Sequence, residues 1–249
     1  MPKPDLSSLP CLLLDERERR ESTEEVSQET VIALFVNGRH ADTVILSPGS
    51  LSEYTIGYLF SEEIIRSKDD IESIKIEKNR ISVLTTNPFR ITGRRKTILA
   101  GCGGSTSYID SSSLPRIQDG SNLIVLPVIR EIISKLHGDM ESAMLFDRDG
   151  EMLVSFWDIG CSSAVDRVIG YALQHDLDFS GAVLGMSGRI TSEMVRRCLL
   201  AGIPILVSRG PVTDLAVSIA AETNLCIISH TQDGRIACFS HPGMIKDSV

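Results

Sequence analysis

Two runs decide the fold: Ala182-Val183-Leu184-Gly185-Met186-Ser187-Gly188-Arg189 and Ile203-Pro204-Ile205-Leu206-Val207-Ser208-Arg209-Gly210-Pro211. Each is a short apolar stretch with no polar alternation, closed by small turn residues, which is the pattern of a strand buried on both faces. Helical spacing follows each run, at 191–201 and 212–223, and a third apolar run at 225–228 completes the alternation. A last strand is expected at 235–239, after Asp233-Gly234. Alternating β and α units predict a partly parallel sheet with helices on both faces.

Working outward, residues 123–136 carry apolar side chains at helical spacing, with Pro127 in the first turn, and 163–174 reads as another helix. Between them Asp147-Arg148-Asp149-Gly150 separates two apolar runs, 142–146 and 152–156, as a hairpin turn would. These pieces make a C-terminal α/β domain over 121–249. Ahead of it, 28–120 reads as an α+β domain. Val31 to Val36, the turn Asn37-Gly38 and the return 41–46 form a hairpin, and a second is expected around Lys78-Asn79. Ser50 and Glu53 have the spacing of a capping box, starting a helix that runs to Ser61. Residues 1–27, charged from Glu16 to Glu25, read as a polar, partly disordered arm.

In open α/β sheets ligands gather beyond the carboxyl ends of parallel strands, where helix N-termini point free N–H groups. Ser187, Gly188 and Arg189 follow one strand; Ser208, Arg209 and Gly210 follow the next. Each set offers a hydroxyl, a glycine for close approach and an arginine that can grip an anion with two hydrogen bonds. Together they suggest a pocket for a phosphate-bearing ligand, which residues 158–163 could also line. The alternative is plain helix-start chemistry with solvated arginines. Cys161 in this last segment is either a second thiol or a buried structural cysteine.

Chemistry of another kind is suggested by Leu99-Ala100-Gly101-Cys102-Gly103-Gly104-Ser105-Thr106-Ser107. Glycines on both sides of Cys102 let the backbone aim successive N–H groups at one point, and such a nest stabilises a thiolate. An incidental cysteine in a flexible Gly/Ser loop is the competing reading. The loop belongs to a polar connection, 86–120, longer than an ordinary one.

The formal net charge of −8 excludes a general nucleic-acid binder, which needs a basic face. No run approaches the ~18 apolar residues of a membrane span. The six cysteines show no CxxC pair and no metal-ligand spacing, so a reducing, cytoplasmic setting and no bound metal are expected. The five histidines are scattered, with no pair at a metal-binding or triad-like spacing.

Several segments together resemble one family, the FdhD/NarQ formate dehydrogenase accessory sulfurtransferases. They are Val36-Asn37-Gly38, Ser47-Pro48, Ile56 to Ile65, Gly101-Cys102-Gly103, Asp158-Ile159-Gly160 and Ala164 to Gly170. The series continues through Ser187-Gly188-Arg189, Glu193-Met194, Ala201 to Ser208, Pro211, Thr213 and Arg235, in unbroken order. The resemblance implies an N-terminal α+β roll and a three-layer α/β/α C-terminal domain of the cytidine-deaminase-like fold, without the deaminase zinc. It implies a persulfide carried on Cys102. It also implies a cofactor-binding segment at His230, Thr231, Gln232, Asp233, Gly234 and Arg235. The implied substrate is the molybdenum (or tungsten) bis-pterin guanine dinucleotide cofactor. The implied partners are a cysteine desulfurase, the formate dehydrogenase catalytic subunit and a second copy of the chain.

The chain departs from the family pattern in places. Ser105 stands where a second cysteine is usual, Cys161-Ser162 replaces an Arg-His pair, a further histidine is lost in the segment 137–143, and Gln232 replaces an arginine. A cofactor-binding chaperone for a pterin or guanine nucleotide, without sulfur chemistry, is therefore the second reading. A redox switch between Cys102 and Cys161 is the third.

Overall fold

In the computed structural model, residues 5–15, 18–88, 96–98, 105–107, 113–118, 124–136, 141–230, 233 and 235–246 are described. The first segment corrects the expectation of a disordered arm. Strands β1 (Leu6–Leu14) and β2 (Arg19–Ser27) pair antiparallel in a long ribbon, Leu9 opposite Glu24 and Leu12 opposite Glu21. Its base is closed by Gln28, whose backbone N–H donates to the Asp5 carbonyl (2.9 Å) and whose side-chain amide donates to Leu6 O and Ser7 Oγ (both 2.9 Å). Pro10 is tolerated in β1 because each strand of a two-stranded ribbon keeps one unpaired edge.

Next come β3 (Thr30–Val36) and β4 (Arg39–Leu46), joined at Asn37 and Gly38, with φ of 51° and 77°. Both residues of this tight turn are left-handed, which is why Asn-Gly stands there. Helix α1 (Leu51–Ser61) follows, then β5 (Ile71–Glu77) and β6 (Arg80–Thr85). The sheet order is β4-β3-β6-β5, with β3 and β6 parallel. Ile32, Leu34, Val36, Ile81 and Val83 turn one face of this sheet toward Tyr54, Tyr58 and Leu59 of α1, all buried. The helix does begin at Leu51, but not through a capping box. Ser50 has φ 49° and ψ 44°, and its side chain makes no cap hydrogen bond.

The long connection is not structureless either. Strands β7 (Lys96–Ile98) and β8 (Ser105–Ser107) pair antiparallel within it, Ile98 opposite Ser105. Further on, Ile117 is buried and pinned on both sides. Its N–H donates to Thr223 O (2.9 Å), and its carbonyl accepts from Asn224 Nδ2 (3.1 Å).

The second half comprises β9 (Ile124–Val125), α2 (Leu126–Lys135), β10 (Glu141–Phe146), β11 (Met152–Asp158), α3 (Cys161–Gln174), β12 (Val183–Met186) and α4 (Ser192–Ala201). It closes with β13 (Ile205–Ser208), α5 (Asp214–Thr223), β14 (Cys226–His230), β15 (Ile236–Ser240) and β16 (Ile245–Lys246), the last paired with β9. Strands β11-β10-β12-β13-β14-β15 form one sheet whose central three, β12 to β14, are parallel. Apolar side chains of α3, α4 and α5 (Val165, Val168, Val195, Leu199, Ile219) cover one face with Leu145, Leu184, Leu206 and Ile227. Ile129, Ile132 and Ile133 of α2 cover the other, against Phe146, Val183, Val207 and Ile228. Three layers result, and fully burying each such side chain contributes about 1.5–3 kcal/mol.

The two halves meet where α1 crosses α3. A Cβ on Gly57 would lie 1.7 Å from the Asp166 carbonyl oxygen, and one on Gly170 would lie 1.9 Å from the Glu53 carbonyl oxygen. Only glycine permits that approach. Beside the crossing, Asp166 of α3 accepts from Ser61 Oγ of α1 (2.7 Å) and from Arg197 of α4 at Nε (2.9 Å) and Nη2 (3.1 Å). Burial works against the charge of Arg197, but Asp166 and Glu193 outweigh it and hold the guanidinium above its ordinary pKa.

Gly170→Ala forces α1 and α3 apart, and overpacking of this kind costs about 3 kcal/mol or more. Urea unfolding should show that loss, whereas Gly243→Ala, where an added Cβ meets nothing within 4 Å, should leave the midpoint near wild type.

Candidate functional site at the carboxyl edge of the sheet

The pairing register brings the predicted ligand loops to one edge. Glu141 starts β10 opposite Asp158, the end of β11, while Met186, Ser208 and Ser229 lie side by side at the ends of β12, β13 and β14. Helices α3, α4 and α5 all begin beyond this row. The loops after β12 and β13 then touch directly. Ile190 N–H donates to Pro211 O (2.9 Å), and Thr213 N–H returns a bond to Ile190 O (3.1 Å). A Cβ on Gly210 would lie 2.4 Å from Gly188 O, so this glycine is required by backbone approach.

The serine hydroxyls turn out to be spent on holding these loops. Ser187 Oγ donates to Glu141 Oε2 (2.8 Å) while accepting from Ser142 N–H (2.9 Å). Ser208 Oγ donates to Gly188 O (2.5 Å) and accepts from Gly210 N–H (2.9 Å). Ser229 Oγ, which sequence reasoning did not single out, donates to Gly210 O (2.6 Å). Satisfied in this way, the hydroxyls fix backbone geometry. The arginines differ, since both Arg189 and Arg209 are exposed. Arg209 Nη1 donates to Leu136 O (3.2 Å) at the C-terminus of α2, where a cation also opposes the helix dipole.

His230 ends β14 half-buried beside this edge. Asp233 and Arg235 are exposed and paired, Arg235 Nε to Asp233 Oδ2 at 2.7 Å. Cys102, Thr231, Gln232 and Gly234 lie outside the described residues. Cys102 falls in the connection 99–104 between β7 and β8.

Two sets of contacts at this edge left no signal in the sequence, although residues 158–163 were singled out there. Asp158 and Arg167 form a buried ion pair, Arg167 Nη2 to Asp158 Oδ2 at 2.6 Å, and Arg167 also donates to the carbonyls of Ser47 (2.7 Å) and Gly49. Burial pushes the Asp158 carboxyl above its ordinary range, against the pull of Arg167. The second is Cys161, whose Sγ lies 2.9 Å from where a Gly188 Cβ would stand, with Glu141 Oε2 at 2.8 Å from the same point. The missing side chain of Gly188 is the space these two groups occupy. Burial, and then the neighbouring Glu141 carboxylate, push the Cys161 thiol up to about 12. Cys198, buried in the helical layer, is pushed up to about 12 by burial, against the pull of the Arg197 charge.

Against this geometry stand the comparisons with known proteins. A model of the FdhD/NarQ family matches residues 27–246. The chain belongs to the FdhD/NarQ family. Among curated FdhD/NarQ relatives, a "Sulfur carrier protein FdhD" of Sulfolobus acidocaldarius is 28% identical over 91% of this chain and 93% of its own. Another of that name, from Staphylococcus haemolyticus, is 26% identical over 99% of both chains. "Protein FdhD" of Methanocaldococcus jannaschii is 26% identical over 86% of this chain and 88% of its own. The solved structure of a candidate formate dehydrogenase accessory protein from Desulfotalea psychrophila has the same fold. Its TM-score is 0.77 at 23% identity, over 98% of this chain and all of that one. Among the described residues no helix is long and apolar enough to cross a membrane.

The raised pKa of Cys161 has a measurable result. At pH 8 a thiol at about 12 is ionised about a thousandfold less than an unperturbed one near 8.5. Iodoacetamide should therefore modify Cys161 about a thousandfold more slowly in native than in denatured protein, and Glu141→Gln should speed the native reaction.

Proposed function

We propose that this protein carries sulfur as a persulfide on Cys102 and delivers it to the molybdenum (or tungsten) bis-pterin guanine dinucleotide cofactor for formate dehydrogenase. The observation that carries this reading is the match to relatives named sulfur carrier proteins over 91% and 99% of the chain. The cysteine environments support it. Cys161 and Cys198 are held protonated, and Cys226 is raised by its hydrogen bond to Cys238 and by burial. Cys102 has instead the glycine-flanked setting that favours a thiolate.

In the loading step the Cys102 thiolate attacks the terminal sulfur of a persulfide on a cysteine desulfurase. The S–S bond breaks and the donor cysteine leaves as thiolate, so no oxidant is consumed. One carrier thiol suffices, and Ser105 at the family's second cysteine position removes an easy resolving partner. Delivery then needs the dinucleotide cargo held nearby. In this reading Arg189 and Arg209, exposed on loops locked by Ser187 and Ser208, take its phosphates, with His230 to Arg235 as a further binding segment. The layering of α2, the six-stranded sheet and α3 to α5 is consistent with the cytidine-deaminase-like arrangement implied by the resemblance. Dimerisation and docking to the formate dehydrogenase catalytic subunit belong to the same proposal.

Incubation with a cysteine desulfurase and cysteine, followed by mass spectrometry, should show added sulfur on the wild type and none on Cys102→Ala. An unlabelled wild type would overturn sulfur carriage. Calorimetry with guanosine diphosphate should show binding that survives Cys102→Ala and weakens about tenfold or more in Arg189→Ala. Binding without sulfur loading would leave the cofactor-binding chaperone as the function.

A further inference from the structure

Strands β14 and β15 form the outer hairpin of the six-stranded sheet, with β15 at its edge. Their register slips in the middle. Ile227 opposes Ser240, whereas Ile228 opposes Cys238, so Phe239 is the extra residue of a bulge. The slip sets Cys238 diagonally beside Cys226, with the two Sγ atoms 3.9 Å apart. Both thiols are free. A disulfide requires about 2 Å between sulfurs, so closure needs an approach of about 2 Å, within the reach of side-chain rotation beside a bulge.

The two thiols are unequal in a useful way. Cys226 is fully buried among Ile228, Val207 and Ile133, while Cys238 is only partly covered at the sheet edge. The hydrogen bond shared with Cys226 brings the Cys238 thiol down to about 7, although burial opposes the shift, and the protonated Cys238 donates to Ser240 O (3.1 Å). A partly exposed thiol of lowered pKa backed by a buried thiol 3.9 Å away is the arrangement of an attacking and a resolving cysteine.

We propose that Cys226 and Cys238 are a redox-active dithiol, oxidised by small-molecule disulfides to an intramolecular disulfide across β14 and β15. The Cys238 thiolate attacks one sulfur of the small disulfide. That S–S bond breaks, and one small thiolate leaves and takes up a proton. Cys226 then gives up its proton and attacks Cys238 Sγ, expelling the second small thiol. Two protein thiols lose two electrons and the small disulfide gains them, so the exchange balances. The bond would tie the edge strand to its neighbour at the end of the hairpin opposite residues 231–235. This chemistry is independent of sulfur carriage on Cys102.

The test uses reduced full-length protein, glutathione disulfide, an iodoacetamide quench and trypsin under non-reducing conditions. Cleavage after Arg209, Arg235 and Lys246 puts Cys226 and Cys238 in separate peptides, 210–235 and 236–246. The expected product is these two peptides joined through their cysteines in most of the protein. Cys226→Ser should instead accumulate glutathione on Cys238. The proposal is overturned if both wild-type peptides are recovered alkylated as in untreated protein. It is equally overturned if glutathione stays on wild-type Cys238 without a linked peptide.

Discussion

Everything at the carboxyl edge depends on how closely α1 approaches α3. With carbonyl oxygens of Asp166 and Glu53 where side chains at Gly57 and Gly170 would begin, the two helices touch backbone to backbone. Each glycine costs its helix about 1 kcal/mol relative to alanine, a cost offset only by the contact it permits. That contact brings Ser61, Asp166 and Arg197 of three helices within hydrogen-bonding distance. It also lays the segment before α1 against α3, where Arg167 holds the carbonyls of Ser47 and Gly49.

Buried ion pairs are poor evidence of net stability, because desolvating both charges costs about as much as their attraction returns. Their value here is geometric. Asp166 and Arg167 are neighbours on α3 yet face different partners, Arg197 on one side and Asp158 on the other. One helix is therefore fixed in rotation by two charges of opposite sign. Asp158 accepts in addition from the N–H groups of Gly160 and Ser47 through Oδ1, which fixes where α3 begins. The start of α3 is what sets Cys161 against Gly188. The glycine crossing, the ion pairs and the ligand loops thus form one mechanical chain.

How much of this was legible follows from the kind of signal each element leaves. The strands at 183–186 and 205–208 are buried on both faces, so an unbroken apolar run bounded by Ser, Gly and Arg marks them without ambiguity. Asn37-Gly38 is equally legible, because few other dipeptides accept two left-handed residues. The ribbon at 6–27 left no comparable signal. Its second strand is almost wholly exposed and charged, and it persists through cross-strand pairing and the Gln28 clasp, neither of which is a local property. Ser50 and Glu53 show the opposite failure, a correct local spacing overridden by a left-handed backbone at the turn into α1. Ser187 and Ser208 were found as residues of the edge, but their hydroxyls face loop backbone and Glu141. Spacing alone does not separate a hydroxyl that binds from one that braces.

Cysteine shows how the fold sorts one residue type into different chemistries. At α3 and α4 the thiols of Cys161 and Cys198 lie in apolar or anionic surroundings, where the thiolate is too costly to form. Across β14 and β15 one thiol lowers the pKa of the other, because a shared hydrogen bond stabilises the ionised form of the more exposed partner. Such sorting matters in a protein read as a carrier of sulfane sulfur. A persulfide migrates to whatever accessible thiolate it meets, so transfer to a single acceptor requires the remaining thiols to be buried, protonated or paired. Burial silences Cys161 and Cys198, Cys226 lies buried where it resolves what the more reactive Cys238 takes up, and Cys11 stands apart in the β1–β2 ribbon. Within 101–230, where the ligand loops lie, Cys102 is the cysteine whose sequence surroundings favour attack.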